Sequence, residues 1–292
     1  MRSPFVLIGA VTSVAAVGCV APPDDRPDAE VTSTTATAVV VVERTTGPGD
    51  AVRGDAVIAR FVRVRQGTVD DQALRIAGAA WDLPALGTCS TAQETQPALQ
   101  PRSVDLLDVG ALTVESTTPS ANTRMNGAAK STVILPRSMP DPTGVVSGVF
   151  YSARSVEAFT PSAHLQLHTS GGPDMAEGFR VDIPAPREVA DVRVSSSSDR
   201  DRLEIAWEAD TTSNDGRDLV YVDVLGPSSR LVARCTTPDL GQLTIPMSAL
   251  GSMEPGEGQL SVHRLHREVF RAKGIDPGEV RFDMARVVTF RR

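Results

Sequence analysis

The chain has 292 residues, 41% of them hydrophobic and 4% aromatic, with a formal net charge of −7. Such a length allows roughly two domains of about 150 residues, with cores built from Val, Leu, Ile and Ala. Acidic balance without a basic patch argues against nucleic-acid binding and against electrostatic adhesion to anionic lipid.

At the N-terminus, Arg2 precedes PFVLIGAVTSVAAVG, an apolar run of about 15 residues where a membrane span needs roughly 20. The run fits the hydrophobic region of a signal peptide over residues 1–18, ending in small residues. Cys19 follows Gly18 directly. A small residue followed by Cys resembles the lipobox of bacterial lipoproteins, with Ala16 where that family usually has Leu. The resemblance implies cleavage before Cys19, lipidation of its thiol and new amino group, and a membrane anchor through those acyl chains. Val20 stands where an Asp often retains such lipoproteins at the inner membrane, which implies delivery to the outer membrane. Ordinary secretion is the alternative, with Ala16 and Gly18 serving a general signal peptidase and Cys19 left as a free thiol. Residues 19–37 read as the lipidated Cys and a disordered tether rich in Pro, Asp and Thr.

Beyond residue 37 the pattern is strand after strand. Residues 38–43, 56–64, 103–116, 131–136, 148–154, 164–168 and 179–184 are short and mostly rich in β-branched residues, with Gly, Pro, Asn or Asp between them. Residues 69–81 are the best helical candidate. Two prolines within 183–192 suggest a boundary, giving an N-terminal β-rich domain at 38–187 and a C-terminal domain at 188–292. In the latter, strands are expected at 189–194, 202–208, 218–225, 229–235, 241–246, 259–266 and 280–290, with a helical turn at 246–250. SNDGRD (213–218) contains the Asp-Gly of a hairpin turn. In RLEIAWE, Leu203, Ile205 and Trp207 share one face, which places Trp207 in a core. Seven strands in about 105 residues is the size of an immunoglobulin-like sandwich. The expected class is all-β, with two antiparallel β-sandwich-type domains, the C-terminal one immunoglobulin-like.

The C-terminal part also resembles a module of uncharacterised bacterial lipoproteins. The resemblance rests on LEIAWEAD, on LVYVDVLGPSSRLVARCTTPDLGQLTIPMSAL and on GQLSVHRL. It implies a Trp-bearing strand, a strand ending in Cys, and an Asp-x-Gly turn leading into an Ile-Pro strand. WDLPALGTC (81–89) and VSGVFY (146–151) are similar to the preceding domain of some of those proteins. The resemblance implies no chemistry.

Few residues carry candidate chemistry. With Cys19 acylated, Cys89 and Cys235 remain as an even pair in an oxidising compartment and could form a disulfide. Alternatively, Cys235 is a small apolar residue in a buried strand. His164 and His168 share a strand face and could hold a metal only with further ligands, so a solvated face is the simpler reading. His263 and His266 are an odd interval apart and face opposite ways in a strand. Asp210, Thr212 and Asn214 begin like a calcium loop, but Asp215 and Tyr221 stand where an EF-hand needs Gly and Glu. GVVSG (144–148) is not a nucleophile elbow, because its Ser is one place late.

The chain therefore reads as a lipoprotein of the bacterial envelope, anchored in the outer membrane and acting as a non-catalytic binding or adhesion module. No cofactor, metal or nucleic acid is expected, and an envelope protein is the favoured partner. A structural accessory subunit of an envelope or secretion assembly is the alternative, with an unrecognised hydrolase behind it.

Overall fold

The computed structural model describes residues 35–64, 67–91, 103–117, 130–139, 144–154, 164–196, 201–210 and 218–292. Cys19, the expected signal peptide, the expected tether up to residue 34 and most of the expected SNDGRD turn lie outside the described residues.

The described residues form an all-β protein. Its strands are β1 (Ala36–Thr46), β2 (Val52–Val64), β3 (Cys89–Thr91), β4 (Val104–Leu106), β5 (Leu112–Thr117), β6 (Lys130–Ile134), β7 (Arg137–Ser138), β8 (Val146–Arg154) and β9 (His164–Thr169). They continue with β10 (Phe179–Pro184), β11 (Arg193–Ser196), β12 (Arg202–Ala206), β13 (Asp218–Leu225), β14 (Leu231–Pro238), β15 (Gln242–Pro246), β16 (Glu257–Ala272) and β17 (Ile275–Arg291). Only Asp71–Ile76 of the 69–81 candidate is an α-helix, α1. Asp70 caps it, accepting a 2.9 Å hydrogen bond from the Ala73 amide, and Gly78 at φ +66° follows its end.

A ten-stranded sheet has the order β3-β14-β13-β16-β17-β1-β2-β4-β8-β7. Separate sheets have the orders β10-β9-β5-β6 and β11-β12-β15. The pairings are antiparallel except β1–β17 and β4–β8, which are parallel. β1, rich in Val, is paired on both edges, and its residues 36–42 are buried. A near-continuous apolar run is what a strand covered on both faces requires.

On one face of the large sheet, Val40, Val42, Phe61, Phe282 and Met284 pack against Leu112, Val114, Leu165 and Leu167 of the four-stranded sheet. Farther along the same face, Val222, Val224, Leu260 and Val262 pack against Leu203, Ile205, Ile245 and Trp207. On the opposite face, Val39, Val41 and Val62 meet Ala73 and Ala77 of the α1 segment. The expected boundary near residue 187 falls between the two small sheets along the chain but does not divide the cores, because Phe270, Ile275, Val280, Phe282 and Met284 belong to the first core and the large sheet runs through both halves. Thr34–Arg292 form one compact unit. The reason is β17, which pairs with β16 on one side and with β1 on the other.

Beyond α1 the chain crosses the open face as a strap and joins the edge of β14. Gly87 donates to the Thr236 carbonyl at 2.7 Å, and Thr236 donates to the Thr88 carbonyl at 3.0 Å. Cys89 pairs with Cys235 across the β3–β14 ladder, and the two are joined by a disulfide. Cys235 is buried and Cys89 exposed.

Candidate functional site: a carboxylate node on the open face

Strands β13, β16, β17 and β1 lie side by side and carry Tyr221, His263, Asp283 and Glu43. Tyr221 pairs with His263, and Asp283 pairs with both Glu43 and Leu265, two residues on from His263. Residues two apart on a strand share a face, so the four side chains meet on the face that the strap crosses. Asp283 is the centre. One of its oxygens lies 2.8 Å from His263 Nδ1, and the other accepts a hydrogen bond from the Tyr221 hydroxyl.

The rings are fixed from both sides. The Tyr221 ring stacks on His263 with centroids 4.2 Å apart, and the Arg234 guanidinium sits 5.1 Å from the Tyr221 centroid. Arg234 is held in turn by a bidentate pair to Asp223, with both bonds at 2.7 Å. Trp81 of the strap meets Tyr221 edge-on, and Arg281 lies over the Trp81 ring. Thr236, opposite Tyr221 on β14, has a buried hydroxyl with no hydrogen-bond partner among the described residues.

Burial, then the Asp283 charge, push the Tyr221 phenol well above its ordinary pKa, so it remains a donor to that carboxylate. Burial and the Asp283 charge also raise the Glu43 carboxyl, against smaller opposing effects of His263 and Arg154. His263 is held through Nδ1, and its Nε2 makes no hydrogen bond to a described residue. The node can therefore hold an imidazole in one orientation and present its second nitrogen to a ligand.

His266 projects to the opposite face of the sheet. Its Nδ1 contacts Asp218, and its Nε2 is 3.2 Å from Glu268. Burial pulls its pKa down, but hydrogen bonds and charge from Asp218 and Glu268 outweigh that and raise it. On that same face a cleft of about 200 Å³ opens where the two small sheets adjoin, lined by Arg187, Glu188, Glu208, Asp210 and Arg264. Arg264 is consumed structurally there, reaching Asp239 and the carbonyls of Arg187, Glu188 and Glu208.

The sequence candidates are dispersed. His164 and His168 sit on β9, with His164 Nδ1 3.4 Å from Asp182 of the neighbouring strand. Ser147 of GVVSG donates to Asp105 on the surface. The Asp210 backbone amide donates to Asp239, while Thr212 and Asn214 lie outside the described residues. Among the described residues no group of three or more His, Cys, Asp and Glu is arranged to hold a metal ion. Sequence reasoning missed the Asp283 node because its members are 43, 221, 263 and 283, and only the strand order makes them neighbours. No protein-family model matches the chain, and no curated protein is detectably similar to it.

Proposed function

We propose that this chain is a lipid-anchored protein of the bacterial envelope whose β-sandwich acts as a binding module for another envelope component. The carrying observation is the relation of Cys19 to the first strand. The segment between them, residues 20–35, is rich in Pro, Asp and Thr and spans at most about 55 Å when extended. β1 then begins inside the large sheet, where the Ala36 amide donates to the Gly274 carbonyl at 2.9 Å. A tether joined at one point of a broad sheet leaves the open face free to engage a partner.

The open face supports the same reading. One face of the large sheet is layered by two smaller sheets, whereas among the described residues the other bears α1 and the strap. A protein partner is favoured over a glycan, because both Trp residues are engaged. Trp207 lies in a core with its indole N–H bonded to Asp239, and Trp81 lies beneath Arg281. Sugar recognition would need a free aromatic face.

The test is the intact mass of the mature protein extracted from membranes. A chain starting at Cys19 and carrying acyl chains is the expected result. An unacylated chain starting elsewhere would overturn the anchor. Stable co-purification with one fixed partner in detergent would shift the reading from a free binding module to a structural subunit.

A further inference from the structure

The open face carries a second group of side chains, at the β8 end of the large sheet. Arg60 on β2 lies with its guanidinium carbon 4.9 Å from the Phe150 ring centroid on β8. Arg137 on the edge strand β7 pairs with Phe150 from the other side. The order β2, β8, β7 thus sets one arginine on each flank of a single aromatic ring. Arg154 lies on the same face of β8 as Phe150, four residues along, opposite Ala56 of β2.

Among the described residues none of the three arginines forms an ion pair. Arg60 is half-buried. It donates to the backbone carbonyls of Ala59 at 3.0 Å and Tyr151 at 3.4 Å, and among the described residues its buried Nε has no hydrogen-bond partner. Burial without a counter-ion lowers its pKa. Arg137 and Arg154 are exposed. Glu43 is near enough to Arg154 for their charges to interact. Among the described residues, three guanidinium groups against one carboxylate leave a local excess of about two positive charges in an otherwise acidic chain, which matches the charge of a phosphate monoester.

We propose that Arg60 and Arg137, flanking Phe150 and supported by Arg154, form a binding site for a phosphate-monoester group. Strand spacing puts the backbones of Arg60 and Arg137 about 10 Å apart, a gap two arginine arms can close onto one tetrahedral anion. Planar guanidinium forks bind phosphate oxygens in pairs and stack on aromatic rings at the same time, which a lysine cannot do. A bound dianion would also supply the counter-ion that Arg60 lacks. The site does not depend on the anchor. The phosphate could be carried by a soluble metabolite or by a lipid headgroup.

The experiment titrates the full chain with glycerol 3-phosphate and, separately, with dihexanoyl phosphatidic acid below its micelle concentration, by calorimetry. Saturable binding of either probe is expected. It should weaken about tenfold or more in the double variant Arg137→Ala/Arg154→Ala, a loss on the scale of one charged hydrogen-bonded contact. Both positions are exposed, so the variant should keep the wild-type melting temperature. Binding should also weaken with added salt and as the phosphate loses its second charge below about pH 6. Binding of the lipid probe alone assigns the site to a headgroup, and binding of both or of the soluble probe alone assigns it to a free phosphate ester. No saturable binding of either probe, or equal affinity in the double variant, overturns the proposal.

Discussion

Arg264 and Asp239 form an ion pair beneath the point where the two small sheets adjoin, with Nε and Oδ2 2.7 Å apart and side chains only 2% and 6% exposed. Three further bonds from the guanidinium go to the carbonyls of Arg187, Glu188 and Glu208. Those carbonyls belong to the link between the small sheets and to the segment after β12. One arginine on the large sheet therefore holds both pieces of the opposing layer. Removing either partner leaves a buried charge without its mate, so Arg264→Ala and Asp239→Ala should each destabilise by about 3–5 kcal/mol. The double variant should lose less than the sum. Additive losses in urea unfolding would show that the two residues act separately.

Trp207 shares that carboxylate, donating to the other oxygen of Asp239 at 2.7 Å while its ring fills the second core. Trp207→Ala should cost about 3–5 kcal/mol. Trp207→Phe keeps most of the bulk but leaves the Asp239 oxygen unpaired, for a loss of about 1–3 kcal/mol. A loss below about 1 kcal/mol for the alanine variant would place the ring on the surface, contrary to its 5% exposure.

The Cys89–Cys235 bridge closes a loop with a sequence separation of 146. Replacing both residues with Ala should lower stability by about 2–5 kcal/mol, mainly because the unfolded chain regains freedom. Reducing agent should shift the melting temperature of the wild type and leave the variant unmoved. An equal shift in both proteins would mean that the bridge contributes nothing.

His266 gives the fold a pH dependence of definite sign. Its folded pKa is raised above the ordinary 6.5. Its contribution is thus fully present below that value and is lost as pH rises through the folded pKa. The stability gap between wild type and His266→Gln should be widest near pH 6 and close toward alkaline pH. A gap that widens with pH would reverse the assignment.

Glu43 acts in the opposite sense. Its carboxyl is raised above 4.5 by burial and by Asp283, so the folded state binds that proton more tightly than the unfolded state does. Ionisation above the raised value weighs against the fold. Glu43→Gln should therefore raise the melting temperature at pH 7–8, with the gain vanishing below about pH 4.5. A lower melting temperature at neutral pH would indicate that ionised Glu43 is a needed partner in the node.

The sequence shows some of these features directly and hides others for identifiable reasons. Leu203, Ile205 and Trp207 alternate with polar residues, so β12 and the burial of Trp207 are readable at once. β16 and β17 are much longer than their apolar patterns suggest. The pattern breaks at Arg264, His266 and Glu268, where polar residues face the gap between the two small sheets. β3 carries no alternation, and its three residues become a strand only through pairing with β14. The histidines at 263 and 266 are visible, and Glu268 lies within local spacing of His266, but Asp283 comes from β17 and Asp218 from the start of β13. No local spacing announces partners set by strand order.

The parallel contact of β1 with β17 joins residues that are 239 positions apart, as in the Thr46 hydroxyl bonded to the Ala285 carbonyl. Loop-closure entropy makes such distant pairing slow, and proteins dominated by it fold in milliseconds to seconds. The central strand cannot be flanked on both sides until Ile275–Arg291 have been made. A chain emerging from the ribosome would leave one flank of β1 open until Ile275–Arg291 had been made. Truncation within β17 should accordingly abolish the ten-stranded sheet at its centre, where the loss of a peripheral strand would only trim an edge.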